Sequence, residues 1–132
     1  MSGERPLADA AGDARLLEAR VEERRQLAAA AEDFARRSGG VARARRLRGT
    51  RAEHDPQSWR TLAALGWLGI LVPQRYCGLG LGVSEMAIVA RALGRVLAPE
   101  PLAAAAVLAG VALCGCENEA LKAETLPQLA AG

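Results

Sequence analysis

The chain has 132 residues, a formal net charge of +2 and an apolar fraction of 51%, and aromatic residues make up only 3% of the sequence. This length suits one domain with one ordinary core, and the nearly balanced charge gives no support to a nucleic-acid-binding class. Because alanine supplies much of the apolar fraction, we predict an all-α protein, a bundle of closely packed helices.

The cysteines and the longest apolar run exclude further classes. Cys77, Cys114 and Cys116 are odd in number, and the chain opens without the apolar region of a secretory signal, which predicts reduced thiols in the cytoplasm. Cys114-Gly-Cys116 lacks zinc-site spacing, and His54 is far away in sequence, so no metal site is predicted. Residues 102–116 are too few to span a bilayer, and no membrane span is predicted.

The first predicted helix covers residues 13–38, after a flexible tail at residues 1–12. Apolar residues recur along it at helical spacing, namely Leu17, Val21, Ala28, Ala31 and Ala35. The pair Gly39-Gly40 ends this helix. An arginine-rich stretch follows, which we interpret as a solvated loop, with contact to an anion or nucleic acid as the alternative; it contains Arg43, Arg45, Arg46, Arg48 and Arg51.

Local signals place the second helix and the segment after it. Asp55 is the predicted N-cap, Pro56 occupies the first helical position, and Gly66 is the predicted left-handed residue that ends the helix. Ile70–Val72 is apolar and precedes a proline, so a short extended segment is expected there.

Three more helices are predicted. Ser84 caps the first of them, whose buried face carries Met86, Ala90, Leu93 and Leu97. Residues 102–114 form a helix that is apolar nearly all round. Such a helix is either central to its own bundle or has one flank that awaits a surface outside this sequence. Asn118 caps the last helix, and Pro127 is expected to interrupt it.

Several residues that could carry chemistry have simpler interpretations. Gly78, Gly80 and Gly82 lack the following glycine of a dinucleotide loop and the Lys-Ser or Lys-Thr of a phosphate loop, so they predict a tight turn. His54 adjoins Asp55, but that carboxylate is better used as a helix cap. The glutamates at helix starts suit the helix dipole, and they are Glu85, Glu100, Glu117 and Glu119. No catalytic residue is therefore predicted.

One ordered set of motifs is specific. Leu65-Gly66-Trp67-Leu68-Gly69-Ile70-Leu71-Val72-Pro73 is followed by Tyr76 and by the loop Gly78-Leu79-Gly80-Leu81-Gly82. Further along come Ala92-Leu93-Gly94-Arg95, Ala98-Pro99-Glu100-Pro101-Leu102, Lys122-Ala123 and Leu126-Pro127. Over residues 55–132 this order and spacing resemble the amino-terminal helical domain of acyl-CoA dehydrogenases. Cys77 departs from the pattern, because it stands where the family usually has the first glycine of a Gly-Gly pair.

The resemblance implies a domain at residues 13–132 of an FAD-dependent enzyme of fatty acid metabolism. In that family a glutamate takes the α-proton of the acyl-CoA substrate while the β-hydride passes to FAD, which supplies the redox chemistry. The glutamate and most FAD contacts belong to the family's other two domains, so this chain alone is expected to hold no FAD and to be inactive.

The resemblance also implies an acyl-binding set at the start of the apolar helix. Counting back from Lys122 identifies it as Pro101, Ala104, Ala105 and Leu108. Small residues there would leave room for a bulky or branched acyl group. The alternative, equally open, is that these alanines only pack helix against helix.

Two functions remain open. The chain is either the N-terminal domain of a dehydrogenase, as a fragment or split subunit that contributes to the acyl-CoA pocket and packs on the flavin domain, or a non-catalytic helical interaction module. The apolar surplus at residues 67–72 and 102–116 predicts an exposed patch and association with a flavin-binding domain or subunit, or with further copies in an oligomer.

Overall fold

The computed structural model describes residues 7–50 and 54–132. Within those ranges the chain forms six α-helices and no strand, which confirms the all-α prediction. The helices are α1 (Leu7–Arg37), α2 (Gly40–Leu47), α3 (Pro56–Ala64), α4 (Val83–Arg95), α5 (Gly110–Gly115) and α6 (Glu119–Ala131). A π-helical segment, Ala103–Ala109, leads directly into α5, and short 3-10 turns occur at Trp67–Gly69 and Gln74–Tyr76.

Helix α1 is longer than predicted. It begins at Leu7, so residues 7–12 of the expected tail are helical, while residues 1–6 lie outside the described part of the chain. Ala31 and Ala35 are buried as predicted, where α1 packs against α4. Val21 is exposed, because no other described element covers the first half of the helix on that side.

The arginine-rich stretch is a helix, and the predicted loop is wrong. Gly39 adopts φ 79°, a left-handed conformation that turns the chain sharply out of α1 and into α2. Arginine has a high helix propensity, which favours continuation from that turn. Arg43 is buried in α2, whereas Arg45, Arg46 and Arg48 are more exposed than Arg43. Arg51 lies outside the described residues.

The main core lies between α1, α3, α4 and the start of the π-helical segment. Phe34 meets Trp67 edge to face with ring centroids 5.6 Å apart, a favourable aromatic geometry. The buried members of this core are Ala31, Leu62, Trp67, Leu68, Ile70, Met86, Val89, Ala92, Leu93, Leu102 and Ala106. A smaller cluster of Val72, Tyr76 and Leu126 joins the loop region to α6.

Gly66 ends α3 as predicted, but the extended segment at Ile70–Val72 is wrong. Gly66 has φ 75° and donates its N–H to the carbonyl of Ala63 at 2.8 Å. Ile70 instead has helical dihedrals, φ −52° and ψ −48°, and is fully buried. The reason is a set of non-local backbone bonds: Leu79 N donates to Gly69 O at 2.9 Å, Gly80 N to Val72 O at 2.8 Å and Leu81 N to Ile70 O at 2.8 Å.

Helix α4 is capped differently from the prediction. Gly82 is the N-cap residue, and its N–H donates to Glu85 Oε2 at 2.9 Å, so Ser84 is not the cap. The buried face is Met86, Val89, Ala92 and Leu93. Ala90 is exposed, and Leu97 lies beyond the helix end at φ 51°, because the chain closes α4 through bonds from Leu97 N to Gly94 O and from Ala98 N to Leu93 O.

Helix α6 begins as predicted but is not interrupted. Asn118 accepts a hydrogen bond from Leu121 N at 3.0 Å, which confirms it as the N-cap. The helix continues through Pro127 to Ala131. Leu126 and Ala130 are buried on either side of the proline, and this packing compensates for the backbone hydrogen bond that proline removes.

Cys77 gives a first testable prediction. It adopts φ 64° and ψ 18°, so this turn requires the left-handed conformation at a residue with a side chain. The left-handed conformation costs an L-residue roughly 1–2 kcal/mol, and replacement by glycine would remove this cost. The greater conformational freedom of glycine in the unfolded chain offsets roughly 0.5–1 kcal/mol of that gain in stability. We expect Cys77→Gly to stabilise the chain by about 0.5–1 kcal/mol in urea unfolding. Unchanged or lower stability would show that the turn gains nothing from glycine.

Candidate functional site

The apolar segment after α4 has one covered side and one uncovered side. Leu102, Ala106 and Gly110 are buried against the core. On the other side Leu108 is 69% exposed and Val111 is 53% exposed. Of the two alternatives for this apolar helix, the described residues therefore show the uncovered flank and not a helix central to its own bundle. We call this flank the apolar face and define it as Pro101, Ala104, Ala105, Leu108, Val111 and Ala112.

All the sequence-predicted site residues belong to this face. Pro101, Ala104 and Leu108 are exposed, and Ala105 is half-buried at the edge of the face. No charged residue occurs between residues 101 and 115. The face can thus contact an acyl chain or an apolar protein surface, and it offers no charge to pair with an ionic ligand.

A buried polar cluster anchors the start of the apolar face. Arg43 binds Glu100 with both terminal nitrogens, Nη1 to Oε1 at 2.5 Å and Nη2 to Oε2 at 2.9 Å. The Glu100 side chain is 0% exposed and that of Arg43 is 8% exposed. Arg43 Nη1 also donates to Ser58 Oγ and lies 3.7 Å from Asp55 Oδ2. Because Ser58 belongs to α3 and Asp55 caps it, the cluster joins α2, α3 and the chain before Pro101.

This cluster corrects two sequence interpretations. The sequence predicts Arg43 in a solvated loop and Glu100 at a helix start, where the dipole alone would favour it. Both residues are instead buried because each satisfies the other's charge, and 57 residues separate them in sequence. The only sequence signal is the position of Glu100 between Pro99 and Pro101, next to the predicted acyl-binding residues.

Asp55 caps α3 as predicted and has a lowered pKa. Its carboxylate accepts from Ser58 Oγ at 2.7 Å, from Ser58 N at 3.1 Å and from Gln57 N at 3.2 Å. The Ser58 hydroxyl contributes most to the lowering of the Asp55 pKa, with the two backbone N–H groups and the Arg43 charge adding to it.

This pKa shift predicts a pH dependence. A carboxylate whose pKa is lowered on folding adds stability above its unfolded pKa, near 4, and this stability disappears as the pH falls through the folded value. Asparagine caps helices comparably but does not titrate. We therefore expect the stability difference between wild type and Asp55→Asn, measured by urea unfolding, to be larger at about pH 6 than at about pH 2.5. An equal difference in stability at both pH values would contradict a lowered pKa of Asp55 in the folded chain.

A second polar cluster ties the turn before Cys77 to α6. Tyr76 Oη donates to Glu119 Oε2 at 2.5 Å, and Lys122 Nζ donates to Glu119 Oε1 at 2.6 Å. Lys122 lowers the pKa of Glu119, with Tyr76 adding to the effect, and Glu119 raises the pKa of Lys122. Glu119 therefore has side-chain partners in addition to its favourable place at a helix start.

His54 and the glycine loop, the other candidates from the sequence, make contacts that support the fold. His54 meets Trp59 edge to face at a centroid distance of 6.0 Å, beside the capping Asp55. At Gly78 a Cβ atom would overlap the carbonyl oxygen and side chain of Val72, which agrees with the tight-turn interpretation of the glycine loop. Among the described residues there is no group of His, Cys, Asp and Glu side chains that could hold a metal ion. In the same part of the chain, no helix combines the length and apolar character that crossing a bilayer requires.

These features define a class of protein domain, a small helical bundle whose loop packs on its own core and whose apolar face is not covered by any of the described residues. Residues 21–132 match the family model described as acyl-CoA dehydrogenase, N-terminal domain. The chain belongs to this family, as the resemblance predicted. The match also covers most of α1 and all of α2, which the motifs at residues 55–132 did not reach. Comparisons with curated proteins and with solved structures gave no match.

Proposed function

We propose that the chain acts as the N-terminal domain of an FAD-dependent acyl-CoA dehydrogenase, where its apolar face forms part of the acyl-CoA pocket and packs on the flavin domain during α,β-dehydrogenation. The observation that carries this proposal is the uncovered, uncharged flank from Pro101 to Ala112, with Leu108 69% exposed. An exposed apolar area of this kind is typical of a contact surface, because burying it against a partner removes apolar surface from water and is favourable.

The composition of the apolar face suggests the substrate class. Ala104 and Ala105 fill little volume, so a pocket wall built from them leaves space that larger side chains would occupy. Pocket depth is set by the side chains that line it. Acyl-CoA substrates with bulky or branched acyl groups fit this wall best.

The residues of the apolar face do not suit FAD. Its pyrophosphate would need cationic side chains or free N–H donors, and the apolar face consists of proline, alanine, leucine and valine in a helical segment. Holding FAD therefore falls to the flavin domain, whether joined to this chain or supplied separately, and no step of the flavin chemistry is assigned to these residues.

The larger exposed side chains suggest the partner contact. Leu108 and Val111 lie toward the α5 end of the face, past the small residues. We propose that the outer surfaces of these two contact the flavin domain or a further subunit, while the alanines and the rest of Leu108, a member of the predicted acyl-binding set, face the acyl chain.

Activity of a reconstituted enzyme tests the proposal. The chain is mixed with the FAD-loaded remainder of an acyl-CoA dehydrogenase, and dehydrogenation of straight and branched acyl-CoA is followed with an artificial electron acceptor. Ala104→Phe fills the wall and is expected to raise KM for the branched substrate by about tenfold or more, and less for the straight one. Ala123→Phe, at an exposed position on α6, is the matched control and should change neither.

Two results would contradict the pocket assignment. One is an equal effect of Ala104→Phe on both substrates, and the other is an effect equal to that of Ala123→Phe. Tight binding to the remainder of the enzyme without any turnover would favour the alternative function, a non-catalytic interaction module that uses the same apolar face.

A further inference from the structure

We infer that Arg43 and Glu100 are positioning residues that set the placement of the acyl-facing segment. This inference rests on the proposed function for its role in catalysis, but its structural part concerns the chain alone. Glu100 immediately precedes Pro101, the first residue of the apolar face. Whatever fixes Glu100 therefore fixes the point from which the face departs.

Glu100 is fixed by a chain of contacts that reaches across the bundle. Its carboxylate, 0% exposed, is held in a two-point contact by Arg43 of α2 at 2.5 and 2.9 Å. Arg43 is in turn held from α3, where Ser58 accepts a hydrogen bond from it and Asp55 lies 3.7 Å away. A planar two-point contact defines orientation as well as distance, which a single contact does not.

The placement of Glu100 is transmitted directly into the segment. Leu102 N donates to Glu100 O at 2.8 Å, and Ala105 N donates to Pro101 O at 2.9 Å. The proline ring fixes one backbone angle between these bonds. A shift of Glu100 therefore moves the first turn, which carries Ala104 and Ala105, instead of being absorbed in a flexible loop.

The geometry of the segment makes such an anchor useful. Ala103–Ala109 has π-helical hydrogen bonding, which is rare and is frequently found at functional sites. Its outer side has no neighbour among the described residues that could hold it in place. The buried pair holds it from the inner side, at the end nearest the acyl-binding residues.

The energetics separate positioning from mere stabilisation. A buried ion pair often adds little net stability compared with apolar residues of similar size, because desolvation offsets the attraction. The double substitution Arg43→Met with Glu100→Leu should therefore recover most of the stability that either single change removes. It cannot recover the two-point contact, so the placement of residues 101–109 should stay altered.

Amide hydrogen exchange on the full chain tests this. The amides of residues 102–109 are expected to exchange about tenfold or more faster in Arg43→Met and in Glu100→Gln than in wild type. The double variant should approach the wild-type urea midpoint while residues 102–109 still exchange faster. Arg46→Met, which changes an exposed arginine of the same helix, is the matched control and should leave exchange in this segment unchanged. Unchanged exchange in the single variants, or full recovery in the double variant, would overturn the inference.

Kinetics in the reconstituted enzyme provide the second readout. Glu100→Gln and the double variant should raise KM for acyl-CoA by about tenfold with little change in kcat, because the pocket wall is displaced while the reacting groups lie elsewhere. If the wild-type mixture has no turnover, the proposed function fails, and the exchange experiment still decides the role of the pair. Equal losses in kcat and kcat/KM would also contradict a positioning role.

Discussion

Gly78→Ala is expected to destabilise the chain by at least about 3 kcal/mol, because overpacking a tight site costs about 1–3 kcal/mol and a clash with backbone exceeds that range. A Cβ at this position would overlap the carbonyl oxygen of Val72, which cannot rotate away as a side chain can. That carbonyl also accepts the N–H of Gly80 at 2.8 Å, so moving it would break one of the bonds that hold the loop on the core. The free energy of unfolding in urea measures the effect.

Gly94→Ala is the matched control for this change. Gly94 lies inside α4, is exposed, and has nothing within 4 Å of the point that an added Cβ would occupy. Alanine is favoured over glycine within helices by roughly 0.5–1 kcal/mol, so this variant should be more stable than wild type. A loss at Gly78 no larger than about 1 kcal/mol would show that the loop does not lie on Val72 as described.

Arg43→Met is expected to cost about 3–5 kcal/mol, because it leaves the Glu100 carboxylate buried and without its ion-pair partner. The free energy of unfolding in urea at neutral pH measures this cost.

The exposed neighbour Arg46 again serves as the control for Arg43. Arg46→Met removes the same charge from α2 and is expected to change stability by no more than about 0.5 kcal/mol. Equal effects of the two substitutions would contradict the burial of the Arg43–Glu100 pair, because net charge alone would then account for both.

Local signals are enough to predict much of the fold. Asp55 and Asn118 both cap helices by accepting nearby N–H groups, and Gly66 ends α3 in the left-handed conformation. These features depend on residues within one helical turn, so the sequence around each position defines them.

Two of the wrong predictions concern segments whose structure is decided by distant residues. Ile70–Val72 is apolar enough for a strand, but the loop at Leu79–Leu81 takes its backbone hydrogen-bonding groups and holds it in a turn. The polar sequence of α2 resembles that of a solvated loop. The contact that buries Arg43 is with Glu100, 57 residues away in sequence. Sequence periodicity cannot report a partner at that separation.

The candidate site is predictable only in part. The family motifs place Pro101, Ala104, Ala105 and Leu108 on one segment, where the structure leaves Ala105 half-buried and the other three exposed, and their acyl-binding role stays a prediction. Their exposure cannot be read from the pattern, because a helix that is apolar all round looks the same whether its last flank is buried or uncovered. The ion pair between Glu100 and Arg43 could not be predicted either, because the two residues are distant in sequence.

Gel filtration with flavin detection tests whether the apolar face docks on the flavin domain. The chain is mixed with the FAD-loaded remainder of an acyl-CoA dehydrogenase, and the absorbance of the eluted complex is followed from about 350 to 500 nm. We predict that the wild-type chain elutes together with the flavin bands, and that Leu108→Asp, which places a charge on the apolar face, separates the two. Elution of the wild-type chain apart from the flavin, or undiminished co-elution of Leu108→Asp, would contradict the claim that this face docks on the flavin domain.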